Sequence, residues 1–459
     1  MDSGSLLCST DSRISCALLS DTTAVAGMAQ RAQSSIRQRA SRVLPGGTFG
    51  NVSGNLVIAR GSGSRVWDDE GREYIDYLIG SGPMIVGHAH PEVTGAVRRQ
   101  LETGTTFFAS NPEGIALAEA IIDAVPVAEK VRFTSTGAEA DAFAMRLARA
   151  HTGRPKILKF EGGYHGYSDY GLMSLAPKTA GNSPRPIPDS AGIPDVVRDT
   201  ILVAPFNDAG AVESLLGEHR SEIAAVFLEP MQRLIPPQPG FLAALRELTR
   251  EHDVLLVFDE VVTGFRLGMG GAQEYYGVVP DLCTLGKVIG GGFPLAAIAG
   301  RDDIMAAFDS DRAGTGRFVP QVGTLSGNPV AAVAGLATLD VLSRPGAFDR
   351  LFDTGRRLMA ALEGILAANG IDARVVGEPP LFDVVFTHGA VNNHRDMLAG
   401  NAAMLKRFNA LLGESGVLKA DSKIYVSTAI NDEDITRTIA AMEDAISRLA
   451  RERDAGLLP

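Results

Sequence analysis

Short runs of hydrophobic residues alternate with amphipathic segments through the central part of the chain, between residues 131 and 284. The runs are apolar at nearly every position, which is typical of strands covered on both faces, and several of the segments between them have helical spacing. The alternation therefore predicts an α/β domain built on a mostly parallel sheet. The predicted strands are 131–133, 157–160, 201–203, 224–228, 254–258 and 282–284, and the predicted helices include 139–150, 209–216 and 240–251.

The pattern changes on either side of this region. Residues 31–43 have the spacing of a short helix, and 55–59, 65–68 and 74–78 predict a small meander. Beyond Pro329 we predict helices at 330–342, 348–368, 402–412 and 432–451, with short strands near 373–376, 381–386 and 425–428. The chain therefore divides into an N-terminal segment (29–86), a large domain (87–335) and a smaller C-terminal α/β domain (336–459). For residues 1–28 we predict a disordered extension rather than a signal peptide.

The composition excludes several classes of protein. Of the 459 residues, 43 are Lys or Arg and 54 are Asp or Glu, which gives a formal net charge of −11. Such an acidic chain is not expected to have nucleic acid or an anionic membrane as its main partner. The three cysteines are too few and too scattered for a disulfide framework or a zinc site, so we predict no metal and a cytoplasmic location. No uncharged apolar run approaches the roughly 18–20 residues of a membrane span.

Residues that can bind an anion follow the first predicted strand. In an open parallel sheet, ligands bind outside the carboxyl ends of the strands. Thr136, Gly137 and Ala138 begin a predicted helix, whose first N–H groups and dipole favour an anion, and Gly137 permits close approach of the backbone. A capping box is the alternative interpretation, and it is favoured for this segment alone because Thr136 and Glu139 have the required spacing.

Aromatic and acidic residues follow three other predicted strands. Tyr164 and His165 come after two glycines, an arrangement that can hold a flat ring, although a Gly-rich turn with one surface aromatic is the simpler interpretation of this segment alone. Glu229 and Asp259 each follow an apolar run directly, where a buried carboxylate needs a partner. Asp259 is the stronger candidate because five consecutive apolar residues precede it.

Lys287 lies between the last of these strands and three consecutive glycines. A lysine there, partly desolvated and near other positive charge, would have a depressed pKa and become a usable nucleophile. The alternative is a lysine whose amine reaches solvent from a strand end. A Walker A loop does not fit, because Val288 follows the lysine and Asp281 occupies the position of the first glycine. Together, an anion site, an aromatic residue, a carboxylate and a lysine at four strand ends fit the needs of pyridoxal 5'-phosphate (PLP).

Several longer motifs occur in a fixed order along the chain. They are FDEVVTGFR at 258–266, LGK with its three glycines at 285–292, and the segments 42–47, 87–91, 163–166 and 323–329. In these motifs the chain resembles the class III PLP-dependent aminotransferases, and within them the glutamate-1-semialdehyde 2,1-aminomutase-like group, from about residue 31 to the end. The resemblance implies PLP transferase fold type I, with 87–335 as the PLP-binding domain, and a homodimer with active sites at the subunit interface.

The resemblance also implies a role for individual residues. Lys287 would form a Schiff base with PLP, Asp259 would pair with the pyridine nitrogen, and Tyr164 would stack on the ring. Further cofactor-binding positions implied in the same way are Thr136, Gly137 and Ala138 at the phosphate, Thr324 at the phosphate of the neighbouring subunit's cofactor, and His165, Glu229 and Val261.

Two departures from the family pattern concern the substrate. The aminomutases and some β-amino-acid transaminases have an arginine after the segment that matches 45–47, whereas this chain has no cation there before Arg60. Aminomutases also carry a glutamate near the position of 421–425, where this chain has none. We therefore expect an intermolecular aminotransferase that uses a small amino donor and a carbonyl acceptor. The aminomutase is the alternative, and a non-catalytic PLP-binding homologue is the third possibility. Arg233 and Arg266 are candidates for binding a substrate carboxylate, but we favour the interpretation of both as ordinary surface or ion-pair arginines.

Overall fold

The structure is a computed structural model, and it describes residues 35–51, 56–179 and 181–458. The extension predicted at 1–28 lies outside the described residues, as do parts of the first predicted helix and of the first predicted strand. The chain folds into two compact units, one from residues up to 59 together with 67–72, and the other from 60–66 together with 73 onward. The predicted boundaries at 86 and 335 remain a prediction.

The first unit contains one described helix, α1 (Ile36–Val43). Ser35 caps its N-terminus in a reciprocal capping box with Gln38, which satisfies two backbone N–H groups that the helix leaves unpaired. Arg37 on this helix forms ion pairs with Asp69 at 3.3 Å and Glu70 at 3.1 Å. These contacts connect the two chain segments of the unit.

Fourteen strands occur in the described residues. They are β1 (Ile58–Ser62), β2 (Arg65–Asp68), β3 (Glu73–Tyr77), β4 (Lys130–Thr134), β5 (Lys156–Phe160), β6 (Ile201–Ala204), β7 (Ile223–Leu228), β8 (Leu255–Glu260), β9 (Leu282–Leu285), β10 (Ala296–Gly300), β11 (Arg374–Glu378), β12 (Leu381–Val385), β13 (Val417–Lys419) and β14 (Ile424–Tyr425).

Thirteen further α-helices are described, and all belong to the second unit. They are α2 (Pro91–Leu101), α3 (Pro112–Ala124), α4 (Gly137–Thr152), α5 (Asp195–Arg198), α6 (Ala209–Glu218), α7 (Phe241–Glu251), α8 (Gly271–Tyr276), α9 (Asp302–Met305), α10 (Pro329–Ser343), α11 (Ala347–Ala368), α12 (His394–Leu398), α13 (Ala402–Glu414) and α14 (Asp432–Asp454). Short 3-10 turns occur at Pro45–Gly47, Ile79–Ser81, Lys287–Gly290, Ala306–Phe308 and Ser310–Arg312. Within the described residues, no helix combines the length and the apolar character needed to cross a membrane.

The central sheet has seven strands in the order β4-β10-β9-β8-β7-β5-β6. The neighbours from β9 to β6 run parallel, whereas β10 is antiparallel to both β4 and β9. Because β10 reverses direction between two strands, β4 points the same way as the parallel group. The carboxyl ends of β4, β5, β7, β8 and β9 therefore lie at one edge of the sheet, where an α/β protein binds its ligands.

Both faces of this sheet are covered, as the apolar runs require. Along β8, Leu256 and Phe258 pack into one hydrophobic cluster while Leu255 and Val257 pack into another on the opposite side. Helix α4 packs against β7, β9 and β10, and α10 packs against α2, α3 and the 3-10 turn that contains Lys287. The mostly parallel, doubly covered α/β fold that the sequence predicted is confirmed.

The C-terminal part of the second unit combines helices with two small groups of strands. Helices α11 and α13 pack against α14, and β11, β12 and β14 form an antiparallel sheet in the order β11-β12-β14. Strand β13 pairs in parallel with β3. The predicted helices and strands of this region all appear, with bounds that shift by a few residues at most.

Candidate active site

The N-terminus of α4 forms one side of the site. Thr136 caps the helix and accepts a hydrogen bond from the Glu139 backbone N–H at 3.2 Å, while Glu139 accepts from the N–H groups of Ser135 and Thr136. The predicted capping box is therefore present. It does not use the backbone N–H groups of Gly137 and Ala138, which make no hydrogen bond within the described structure. Cap and anion site can thus coexist on one helix end.

Close packing joins this helix end to two neighbouring segments. A Cβ placed on Gly137 would lie 2.9 Å from Cγ1 of Val261, and a Cβ on Gly166 would lie 2.5 Å from Cα of Ala138. Both positions therefore exclude a side chain. Val261 also lies near Gly286, where a Cβ would come within 3.1 Å of its Cγ1. The predicted phosphate segment, Val261 and the residue before Lys287 are consequently neighbours.

A buried lysine organises the loop that follows β5. Lys159 is fully buried, and its Nζ donates to the carbonyl oxygens of Gly163 at 3.1 Å, Gly171 at 3.0 Å and Met173 at 2.6 Å. Burial lowers the pKa of Lys159 to about 7. Three carbonyls from one loop thus converge on a single amine, which fixes the path of the segment that contains Tyr164 and His165.

Tyr164 is partly buried, and two charged residues contact it. Its backbone N–H donates to Oε2 of the buried Glu229 at 2.9 Å, which links the ends of β5 and β7. The guanidinium of Arg233 lies over its ring, with Cζ 5.3 Å from the centroid. Such an arrangement is a cation–π contact. Burial, followed by a hydrogen bond with Tyr167, raises the pKa of the Tyr164 hydroxyl. The phenol therefore stays neutral at ordinary pH.

Asp259, at the end of β8, lies in a buried network of hydrogen bonds. His165 Nδ1 lies 2.8 Å from Asp259 Oδ2, and the backbone N–H of Val261 donates to Oδ1 at 3.1 Å. Nε2 of His165 is buried and has no partner within the described residues. Because the imidazole holds Oδ2 in place, the carboxylate is oriented before any ligand binds.

Asp141, on α4, extends this network. The hydroxyl of Thr284 bonds Asp141 Oδ1 at 2.6 Å and lies 3.4 Å from Oδ1 of Asp259. Burial, then the negative charge of Asp259, raises the pKa of Asp141 well above its ordinary value. The shift favours the protonated form of Asp141. One donor atom from each of Asp141, His165 and Asp259 lies within 4.8 Å of the others, a spacing that a metal ion could also occupy.

Glu260, which follows Asp259 on β8, allows the effect of burial on a carboxyl pKa to be tested through the pH dependence of stability. It is fully buried, and burial raises its pKa from 4.5 to about 7. The unfolded carboxyl ionises near 4.5, so the folded state binds more protons between pH 4.5 and 7, and stability falls as pH rises through this window. Relative to a Glu260→Gln protein, the free energy of unfolding of the wild type should fall by up to about 3 kcal/mol between pH 4.5 and pH 8.

Urea unfolding of the cofactor-free proteins at several pH values measures this difference. Glu363→Gln is a matched control, because Glu363 is exposed on α11 and its removal should leave the pH profile unchanged. Parallel profiles for the wild type and Glu260→Gln would contradict the assignment of a proton to Glu260 in the fold.

Lys287 begins a 3-10 turn directly after β9. It has a positive φ of 48°, which non-glycine residues rarely adopt. The turn packs closely on α10, since a Cβ on Gly335 would collide with the carbonyl oxygen of Ile289. Burial lowers the pKa of Lys287, and the charges of Lys423 and Arg266 lower it further, against the opposing effects of Tyr425 and Asp259. The amine is therefore more readily deprotonated than an exposed lysine, as a nucleophile or base must be.

Three side chains from distant parts of the sequence meet next to Gly82. A Cβ on Gly82 would lie 2.9 Å from Arg266 Nη2, 3.1 Å from Tyr425 Cε1 and 3.2 Å from Lys287 Cδ. Gly82 also has a φ of 113°. Both the close neighbouring atoms and this backbone conformation therefore exclude any residue other than glycine. Its carbonyl accepts from Arg266 Nη2 at 2.5 Å. The sequence did not indicate this meeting point, because residue 82 precedes the predicted sheet.

The interpretation of Arg266 as a surface or ion-pair arginine is wrong. Its side chain is fully buried, and its partners are the carbonyl oxygens of Val262 and Gly82. Nη1 is buried without a partner in the described structure. The packing of the guanidinium against Tyr425, with Cζ 5.1 Å from the ring centroid, explains how a buried arginine is accommodated without a carboxylate.

Contacts connect most of the predicted site residues with one another. The residues in this group are Thr136, Gly137, Ala138, Tyr164, His165, Glu229, Asp259, Val261 and Lys287. Thr324 is exposed in the loop before α10, and no contact of the described structure links it to the group. Asp141, Thr284, Gly82 and Tyr425 were missed by the sequence analysis. Asp141 lies within α4 and Thr284 lies within β9, where nothing in the local sequence pattern distinguishes them from other residues of a helix or a strand.

The geometry fits PLP on three observations. Two unpaired N–H groups at the start of α4 suit a phosphate, and the missing Cβ atoms of Gly137 and Gly166 allow close packing around them. The oriented Asp259 suits a pyridine nitrogen, and Lys287 at the adjacent strand end suits an aldehyde. The residues that would hold the cofactor thus come from the ends of four strands.

Comparisons with known proteins agree with this geometry. A model of the family described as "Aminotransferase class-III" matches residues 49–446. An omega-transaminase from Sphaerobacter thermophilus is 37% identical with a TM-score of 0.86, covering 91% of this chain and 97% of its own. A β-phenylalanine aminotransferase from Variovorax paradoxus is 33% identical with a TM-score of 0.81, covering 96% and 98%.

A third similar structure is a variant of glutamate-1-semialdehyde-aminomutase from Pseudomonas aeruginosa PAO1 in complex with PMP, at 27% identity and a TM-score of 0.81, covering 90% of this chain and 94% of its own. The family match spans most of the chain. Because the members of this family use PLP to transfer amino groups, the cofactor is PLP and the activity is amino-group transfer. The resemblance inferred from the sequence motifs is confirmed. The protein therefore belongs to the class III aminotransferase family.

Proposed function

We propose that the protein moves an amino group from an amine or amino acid to a keto acid or aldehyde, with Lys287 bonded covalently to PLP between reactions. The observation that carries this proposal is the position of Lys287. Its amine has a depressed pKa and follows β9, the strand next to the one that carries the oriented Asp259, and the Gly137 and Ala138 N–H groups at the start of α4 are unpaired. When bound, PLP supplies an aldehyde that bonds to amines and a ring that takes up electrons as a C–H bond breaks.

Each protein group has a separate task in this proposal. Lys287 Nζ would hold the cofactor by its aldehyde and, as a free amine, would take the proton from the donor's amine-bearing carbon and then give it up. Asp259, held by His165, would keep the ring nitrogen protonated. Tyr164 would pack against the ring. Gly137 and Ala138 would bind the phosphate through their N–H groups, with Thr136 at the same helix end.

Two further site residues act by positioning. Glu229 accepts from the Tyr164 backbone and so fixes the stacking residue relative to β7. Val261 packs against the phosphate segment and its N–H holds Asp259 Oδ1. Their contacts fix the position of the stacking residue relative to the phosphate site. This matters because a small misplacement of a reacting group strongly lowers the reaction rate.

We further propose a homodimer in which Thr324 binds the phosphate held by the neighbouring subunit. Thr324 is exposed, and the adjacent Val322 and Leu325 are exposed apolar residues with 77% and 47% of their surface accessible. Exposed apolar residues in a group are typical of an interaction surface. Light scattering of the purified protein measures the oligomeric state, and a monomer at micromolar concentration would contradict this arrangement.

The test of the function uses a panel of amino donors and absorbance of the cofactor. Purified protein reconstituted with PLP is mixed with single donors, starting with β-phenylalanine, which the relative from Variovorax paradoxus suggests. Conversion of the cofactor to its amino form, and its reversal by a keto acid, is the expected result. Absence of conversion with every donor, despite bound PLP, would overturn the proposal and favour a non-catalytic homologue.

The aminomutase alternative has its own test. The similarity to the Pseudomonas aeruginosa aminomutase keeps it open, whereas the two relatives of higher identity are transaminases. An intramolecular reaction would convert glutamate 1-semialdehyde to 5-aminolevulinate with no other carbonyl compound present. We expect no such turnover, and efficient conversion would replace aminotransferase by aminomutase as the assigned activity.

A further inference from the structure

The structure contains a second lysine close to Lys287 that the proposed reaction does not use. Lys423 lies just before β14, in a turn closed by hydrogen bonding between the backbones of Ala420 and Lys423. Only 8% of its surface is accessible. Its Nζ lies 5.9 Å from the centroid of the Tyr425 ring. This residue falls in the segment 421–425, where the sequence departs from the aminomutases.

Comparison with the other buried lysines shows that Lys423 is unusual. Lys159 donates to three carbonyls, and Lys419 bonds Asn409 and lies 2.8 Å from the carboxylate of Asp383. The ammonium of Lys423 makes no hydrogen bond or ion pair within the described residues. A ring centroid at the distance limit of a cation–π contact does not satisfy three donors. The Nζ atom is not among the enclosed unpaired atoms of the described residues, so a ligand oxygen can reach it.

The position of Lys423 relates it to the reacting groups. The centroid of the Tyr425 ring lies 5.9 Å from Lys423 Nζ and 5.1 Å from Arg266 Cζ, and Tyr425, Arg266 and Lys287 all meet at Gly82. Arg266 Nη1 is also buried without a partner in the part of the chain that the structure describes. An anion held by Lys423 would therefore lie within a few side chains of the amine that reacts with the donor.

The local charges favour an anion as well. Burial lowers the pKa of Lys423 to about 7, followed by the positive charge of Arg233, with Arg266 acting in the same sense and Glu229 and Asp259 opposing. Two arginines, Arg233 and Arg266, and two acidic residues, Glu229 and Asp259, are thus close enough to act on the charge of Lys423. Binding an anion would restore the full charge of Lys423, because an adjacent negative charge stabilises the protonated amine.

We propose that Lys423 binds the carboxylate of an amino-acid or keto-acid substrate. The inference rests on the proposed function, because only the donor and the acceptor need to approach Lys287. A carboxylate supplies acceptor oxygens for the ammonium of Lys423. Lys423 is in this view a specificity-determining residue, which discriminates acids from amines that lack the acid group.

The first experiment compares matched donors on the holoenzyme. 3-Amino-3-phenylpropanoate and 1-phenylethylamine differ only by the carboxyl group. In a Lys423→Met protein, the ratio of kcat/KM for the acid donor to that for the amine should fall by about 100-fold, as expected when a desolvated charged hydrogen bond is lost. Lys406→Met is the control, since it removes the same charge from an exposed position on α13, and the ratio should stay within about threefold. An unchanged ratio in Lys423→Met, or an equal drop in Lys406→Met, would overturn the proposal.

A second experiment measures binding without turnover. 3-Phenylpropanoate lacks the amine, and 3-phenylpropanamide is its neutral counterpart, so calorimetry on the PLP form reports recognition of the acid group alone. The wild type and Lys423→Arg should bind the acid in preference to the amide, and Lys423→Met should lose that preference. No preference in the wild type would contradict the role of Lys423. If no donor reacts but the preference is present, the proposed function fails while the carboxylate site stands.

Discussion

Replacing Lys287 by alanine is expected to reduce kcat/KM for the best donor by about 10⁴-fold or more, because the substitution removes both the covalent tether and the group that moves the proton. The depressed pKa and the fixed turn after β9 both suit these two tasks. Borohydride treatment followed by digestion measures the tether directly. The wild type should have a pyridoxyl group on the peptide that contains Lys287, and Lys287→Ala should have none there.

Two further measurements make this result specific. A small primary amine added to Lys287→Ala should restore part of the rate, since it can replace the missing base. Lys406→Ala, which changes an exposed lysine, should behave as the wild type. A pyridoxyl group found on a different peptide of the wild type, or retained activity of Lys287→Ala, would remove Lys287 from the mechanism.

The second large effect is expected for Asp259→Asn. An anion about 4 Å from the ring nitrogen stabilises its protonated form by about 4 kcal/mol at an effective dielectric of about 20, which corresponds to roughly 10³-fold in rate. The asparagine keeps an oxygen that can accept from His165, so the substitution tests charge rather than shape. The rate of the half-reaction, followed by cofactor absorbance in a stopped-flow instrument, measures the loss.

Asp141→Asn is the matched control for this prediction. Asp141 lies in the same network and bonds Thr284, but its raised pKa favours the protonated, neutral form of its carboxyl group. Changing it to an amide should therefore cause a loss at least ten times smaller than Asp259→Asn causes. Equal losses in the two variants would show that the network acts through its geometry and that the charge of Asp259 is not what the reaction requires.

The sequence predicted the parallel strands of the fold well because each is apolar on both faces. It missed β10, at Ala296–Gly300. This strand is a short Ala-rich run that follows three glycines and a proline, so its local composition does not favour a strand. Pairing with β4 and β9 on both sides supplies what local preference lacks. Tertiary contacts, rather than the sequence of the segment, determine its conformation.

The candidate site was predictable to the extent that it follows strand ends. Thr136, Tyr164, Asp259 and Lys287 each stand directly after an apolar run or close to its end, and parallel topology then places them together. Asp141 was not predictable in this way, because it lies in the interior of α4. The buried state of Arg266 was not predictable either, since it depends on the carbonyl of Gly82, which is 184 residues away in the sequence.

The attachment of one loop to Lys159 bears on efforts to alter the substrate range of this enzyme. Because that amine holds the carbonyls of Gly163, Gly171 and Met173, the intervening stretch is anchored at both ends by main-chain atoms. Libraries that vary side chains between residues 167 and 170 leave those anchors in place and can explore new donors. Deletions or insertions there would withdraw a carbonyl from a buried amine, so mutagenesis of this region should keep its length constant.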